Sequence, residues 1–201
     1  MQKKTAETSY PLHDTLSERW SPRAFRDEHL TDEELGSLLE AARWSASCFN
    51  EQPWRFLVGT RGTEAWDKLL AVLVEFNQGW ARTAPVLMLS VARTGFTHND
   101  KPNQHAWHDV GLASASMALQ AQTMGISMHM MGGFDAEAAR TSFAIPEGYE
   151  PVAAIAIGRE GDPDQLGEEL ASREREPRKR RPLEDQVFEG SWEKRPSFLG
   201  S

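Results

Sequence analysis

The longest apolar run in the chain is "APVLMLSVA", Ala84 to Ala92, and its length decides what it can be. A membrane-spanning helix requires about 18 to 20 such residues. This run is far shorter and reads as a buried strand, and "PVAAIAIG", Pro151 to Gly158, reads as another. "PWRFLVGT" alternates into a short strand with Pro53 at its start, where no backbone donor is needed. "ISMHMMGGFD" runs as a strand into a glycine pair. Between these lie helical patterns. In "TDEELGSLLEAARW", Thr31 is the N-cap and Glu34 its capping-box partner, with Leu35, Leu38, Leu39 and Ala42 at helical spacing. Further helices are expected from about Thr63 to Phe76, from roughly His105 to Met124, and from the Asp135 cap through Ser142. The small residues of the 105–124 segment leave little bulk on any face, which predicts a central, buried helix. Without a regular βαβ rhythm, the pattern favours α+β over a doubly wound parallel sheet.

At 201 residues the chain fits one domain with a sizeable core. A formal charge of −8 argues against nucleic-acid binding, which rests on clustered positive charge, and leaves small molecules as the expected partners. One cysteine forms no intrachain disulfide, and "MQKKTAETSYPLHD" has no apolar signal core, so a cytoplasmic address without membrane attachment is expected. Seven tryptophans fit ligand platforms or a large interface as well as plain packing. The segment from Arg159 to Arg181 is polar and charged, and is expected to lie along another surface.

Two basic groups stand out. "ERWSPRAF" places Arg19, Ser21 and Arg23 at alternate positions, which share a side in an extended segment. Guanidinium forks and a hydroxyl suit a phosphate monoester, although the same spacing fits a solvated edge. Arg178, Lys179, Arg180 and Arg181 form the densest positive run and could close such a site from the other end of the chain. Gly132 and Gly133 offer backbone amides and close approach, or merely a turn. No G-x-G-x-x-G opens a helix after a strand, and no Walker loop appears. His98, His105, His108 and Asp109 match no common zinc spacing; a hydrolase using His105 and His108 is the remote alternative, and helix polarity accounts for Asp109. Cys48 has no adjacent base, so it reads as a small site-lining thiol rather than a nucleophile.

Taken jointly, these pieces resemble the nitroreductase family of FMN-dependent NAD(P)H oxidoreductases, from about Arg19 to Trp192. The motifs that carry the resemblance are "RWSPRAF", "ASCFNEQPW", Asn77 ahead of the Ala-Pro strand, "DVGLASASMALQAQTMG", "GGFD" and "PRKRRPLED". Ala46 stands where the family has proline, and Trp80 where a relative often has lysine. The resemblance implies a mainly antiparallel mixed sheet flanked by helices, in an intertwined homodimer with FMN at the interface. Carried over, Arg19, Trp20, Ser21 and Arg23 with Arg178 and Arg180 contact the phosphate and ribityl end. Asn77 faces the pyrimidine, and Gly132 and Gly133 donate near N5. Ala46, Ser47, Cys48 and Asn50 come from the other subunit, and Gln52 also binds the cofactor. The whole chain, 1–201, is one domain, with 159–201 as an extension on the partner. The implied reaction moves hydride from NADH or NADPH through flavin N5 to a nitroaromatic or quinone, ping-pong, with no catalytic side chain named. Dehalogenation, flavin breakdown and flavin storage are the alternatives within the fold.

Overall fold

The computed structural model describes residues 4–199. A short helix, α1 (Asp14–Glu18), leads into an extended segment and then α2 (Asp32–Arg43). Thr31 caps α2 through the expected box: its hydroxyl accepts from the Glu34 N–H, and its own N–H donates to Glu34 Oε2 at 2.9 Å. A 3-10 turn at Cys48–Asn50 precedes β1 (Trp54–Thr60). Then follow α3 (Glu64–Ala71), α4 (Glu75–Ala81), β2 (Val86–Arg93), α5 (Ala106–Thr123), β3 (Ser127–Met131), α6 (Ala136–Ser142), β4 (Tyr149–Gly158) and α7 (Glu168–Arg175).

The four strands form one sheet in the order β1-β2-β4-β3, and each neighbouring pair is antiparallel. The apolar runs are the two central strands because both faces of the sheet are covered. Val86 and Met88 of β2 with Ile155 and Ile157 of β4 pack toward α2 and α5. Leu87, Leu89, Val91, Ala154 and Ala156 pack toward α3, α4 and α6. This is the α+β architecture that the sequence predicts.

Two expectations are corrected. The helix anticipated over 63–76 breaks at Val72–Val74, where the backbone turns to meet the glycine turn: Asp135 N–H donates to Val72 O, and Val74 N–H to Gly133 O. Leu73 forms a bridge with Phe134 there, so the chain restarts as α4. The long helix α5 is buried on one side only, leaving Trp107, Gly111, Leu112 and Ala115 exposed. The segment after Arg159 first packs on its own chain. Phe25 bridges Glu160, Arg26 N–H donates to Arg159 O, and α7 buries Glu174. Among the described residues no helix is long and apolar enough to cross a membrane.

Candidate functional site

The extended segment after α1 carries the first basic group. Arg19 Nη1 reaches Ser21 Oγ at 3.4 Å, as alternate positions should. Arg178 is locked by two carbonyls, with Nη1 donating to Ser17 O at 2.6 Å and to Lys4 O at 2.9 Å. Burial and the nearby Arg180 cation lower the Arg19 pKa; burial, then Arg19 and Arg180, lower that of Arg178. The two distant basic groups therefore meet. Among the described residues no carboxylate pairs with Arg19, Arg178 or Arg180. Three cations held together without an acid are relieved by a bound anion.

Arg23 differs from its neighbours. Its Nη1 and its backbone N–H each donate at 2.9 Å to Glu174, a carboxylate only 2% exposed. That charge is already neutralised, so Arg23 braces the segment. Trp20 is similarly engaged: Nε1–H donates to Glu160 Oε2 at 3.2 Å, and Lys4 Nζ lies 4.4 Å from its ring. Burial pushes the Glu160 carboxyl up. Glu174 escaped sequence reading because one acid in a charged run carries no sign of which one is buried.

At the end of β3, Gly133 leaves no room for a side chain, since a Cβ there would stand 2.5 Å from Asn77 Nδ2. Asn77 donates to Gly133 O at 2.9 Å and accepts from Trp80 Nε1–H at 3.3 Å. The backbone N–H groups of Gly132 and Gly133 have no partner among the described residues. Trp80 stacks on His129 with centroids 4.5 Å apart. His129 Nδ1 lies 2.9 Å from Pro22 O, and since a carbonyl only accepts, that nitrogen carries the proton. Burial above all, with Arg23 and Arg19 adding to it, brings the His129 pKa down to about 4. Its neutral ring sits beside the arginine segment.

The loop "SASCFNEQPW" lies elsewhere. It enters β1, one edge of the sheet, whereas His129 and the glycine turn belong to β3, the other edge. Three strand spacings, roughly 14 Å, separate those edges. Cys48 N–H donates to Asp109 Oδ2 at 3.0 Å, and Gln52 N–H to Ser47 Oγ at 3.0 Å. Phe49, Asn50 and Gln52 hold positive φ of 53°, 55° and 51°. Ala46, Asn50 and Gln52 are exposed, Phe49 is 85% exposed, and Trp44 beside them is 75% exposed. Within one chain Ala46, Ser47, Cys48, Asn50 and Gln52 thus join neither the arginines nor the glycine turn. Asp109 exceeds the helix-polarity role expected of it, because it is buried and ties this loop to α5, with His108 Nδ1 on its other oxygen at 3.2 Å. Neither His105 nor His108 belongs to any metal-holding group of three His, Cys, Asp or Glu among the described residues.

The fold and its parts are those of known proteins. A solved structure described as an oxidoreductase containing FMN superposes with a TM-score of 0.90 at 36% identity, covering 96% of this chain and 98% of that one. A Mycolicibacterium smegmatis protein, described as an uncharacterized 15.4 kDa protein in the ask 5′ region, is 34% identical over 145 residues, 69% of this chain and 97% of the relative. A Streptomyces coelicolor protein provisionally named NADH dehydrogenase/NAD(P)H nitroreductase is 28% identical over 157 residues, covering 68% of this chain and 79% of its own. The sequence profile of the nitroreductase family matches residues 16–159, well over half of the chain. The chain belongs to the nitroreductase family.

Proposed function

We propose that this chain is an FMN-dependent oxidoreductase that takes reducing equivalents from NADH or NADPH and delivers them to a small electrophilic oxidant, such as a nitroaromatic or a quinone. The observation that carries this reading is that Arg178 is seated on the Ser17 carbonyl, two residues from Arg19, with Arg180 near enough to act on both and none of the three paired with an acid among the described residues. A phosphate monoester fits that cluster through charge-assisted bonds. The glycine turn fits the other end of FMN, because its N–H groups have no partner among the described residues and the space beside Gly132 is open to a flat ring. When bound, FMN supplies the hydride chemistry. The chain therefore needs donors and a shaped surface, and no catalytic side chain is assigned.

Each residue then has a share of the binding. Arg19, Arg178 and Arg180, with Ser21, hold the phosphate. Arg23 and Trp20 brace the segment through Glu174 and Glu160. Asn77 fixes the Gly133 carbonyl, so that the Gly132 and Gly133 N–H groups face the ring. Ala46, Ser47, Cys48, Asn50 and Gln52 complete the pocket from a second copy, since one chain keeps them at the far sheet edge. The exposed face of α5, with Trp107 and Leu112, and the exposed Trp44 at the end of α2 supply the contact between copies in a homodimer. Within the single domain, the extension beyond Pro182, with Trp192 exposed, lies on that partner. The homodimer acts in the cytoplasm.

Purified protein is expected to show flavin absorbance that bleaches with NADH or NADPH and returns with a nitroaromatic or quinone. Reductant and oxidant should compete, as a ping-pong scheme on one face requires. Protein that takes up no FMN, or yellow protein that neither nicotinamide bleaches, contradicts the proposal.

A further inference from the structure

His129 has no place in the chemistry just described, yet it stands between the two ends of the proposed site. On β3 it shares a sheet face with Met131. Its Nδ1–H meets Pro22 O, the middle of the arginine segment, and its ring lies on Trp80 at 37° between planes. Trp80, 1% exposed, passes the contact to Asn77, and Asn77 passes it to Gly133 O. An imidazole, an indole and a planar amide, each held on two sides, thus link the arginine segment to the glycine turn. Close-packed interiors transmit displacement because they have few voids to absorb it.

We propose that His129 is a positioning residue which, with Trp80 and Asn77, sets the distance between the arginine cluster and the Gly132–Gly133 turn. The proposal rests on the FMN reading, since that distance matters only to a ligand engaging both ends. Two linked contacts reinforce each other only when the linker matches the span. Removing the strut leaves each end competent and reduces the gain from using both.

Riboflavin lacks the phosphate, so the ratio of riboflavin to FMN dissociation constants in the flavin-stripped protein reads that gain. The wild type is expected to prefer FMN by about 100-fold, in keeping with two or more charge-assisted contacts. His129→Phe keeps a ring on Trp80 and loses the bond to Pro22; the ratio should fall about 10-fold while riboflavin affinity stays within about threefold, because only the linked gain is lost. His129→Asn places an amide N–H near the lost donor but gives up the ring on Trp80, so it should recover only part of the ratio. Trp80→Phe breaks the strut at its other joint and should lower the ratio too, so it tests the same link if His129→Phe does not fold. An unchanged ratio in the folded variants, or a parallel loss of both flavins, overturns the proposal. Wild-type protein that takes up neither flavin overturns the FMN reading and this proposal with it, a result distinct from tight wild-type FMN binding with indifferent variants.

Discussion

The arginine segment and the loop before β1 are both polar, irregular stretches, and the chain treats them in opposite ways. Around Arg19 to Arg23 nearly every polar group is engaged within the protomer: Arg23 by Glu174, Trp20 by Glu160, Pro22 by His129, and Arg178 by Ser17 and Lys4. Loop 45–52 instead displays large side chains and keeps three residues in the left-handed region, at a cost of about 1 to 2 kcal/mol for a residue such as Phe49. Its anchors are groups of its own protomer, Asp109 on Cys48, Ser116 on Ser45 at 2.8 Å and Thr97 on Glu51 at 2.8 Å, and they leave Phe49 and Trp44 exposed. The difference teaches that one half of the proposed site is finished within a chain, while the other half is strained and uncovered until something packs against it.

The sharpest way to break the finished half is Glu174→Ala. It leaves Arg23 mostly covered and unpaired, and should cost about 3 kcal/mol in denaturant unfolding, the low end for a broken buried pair because Arg23 keeps some water. An effect below about 1 kcal/mol would show the pair to be superficial. Acid tests the same half by a different route. The folded His129 pKa of about 4 lies below the ordinary 6.5, so its contribution is complete above pH 6.5 and lost as pH falls toward 4, by roughly 3 kcal/mol in all. Subtracting the pH–stability curve of His129→Phe isolates that slope; identical curves would refute the buried neutral ring. Next comes Arg19→Ala, which should weaken FMN binding by about 1.5 to 3 kcal/mol, read by ultrafiltration of the flavin. Smallest is Cys48→Ser, expected to change NAD(P)H-dependent turnover by less than about threefold, since the backbone N–H of Cys48 rather than its thiol makes the observed contact.

What was legible in the sequence was local. Thr31 and Glu34 announce α2 because a capping box needs only four consecutive residues, and the apolar runs announce β2 and β4 because a strand covered on both faces has no polar side. The Asp135 cap is legible for the same reason. The break before α4 was not, since it is imposed by hydrogen bonds from Asp135 and to Gly133, some sixty residues away. The site divides likewise. Two basic groups and a glycine pair could be seen as residue types, and the resemblance put them together. That Arg23 is spent on Glu174, and that His129 and Trp80 stand between the two ends, depends on which charged and aromatic residues the fold buries. The exposed face of α5 was hidden by its small residues, which look the same whether they face the core or another copy.

The shared site is tested most directly by mixing two damaged chains. Arg19→Ala weakens the anion end, and Asp109→Ala releases loop 45–52; each homodimer should retain little FMN through ultrafiltration. Unfolded together and refolded, they form mixed dimers in which one site draws Arg19 from one chain and an intact loop from the other. Flavin content is then expected to recover to about a quarter of wild type, half the dimers being mixed and each having one sound site. A mixture that stays as empty as its parents, although mixed dimers form, would place the whole site within one chain and contradict the sharing.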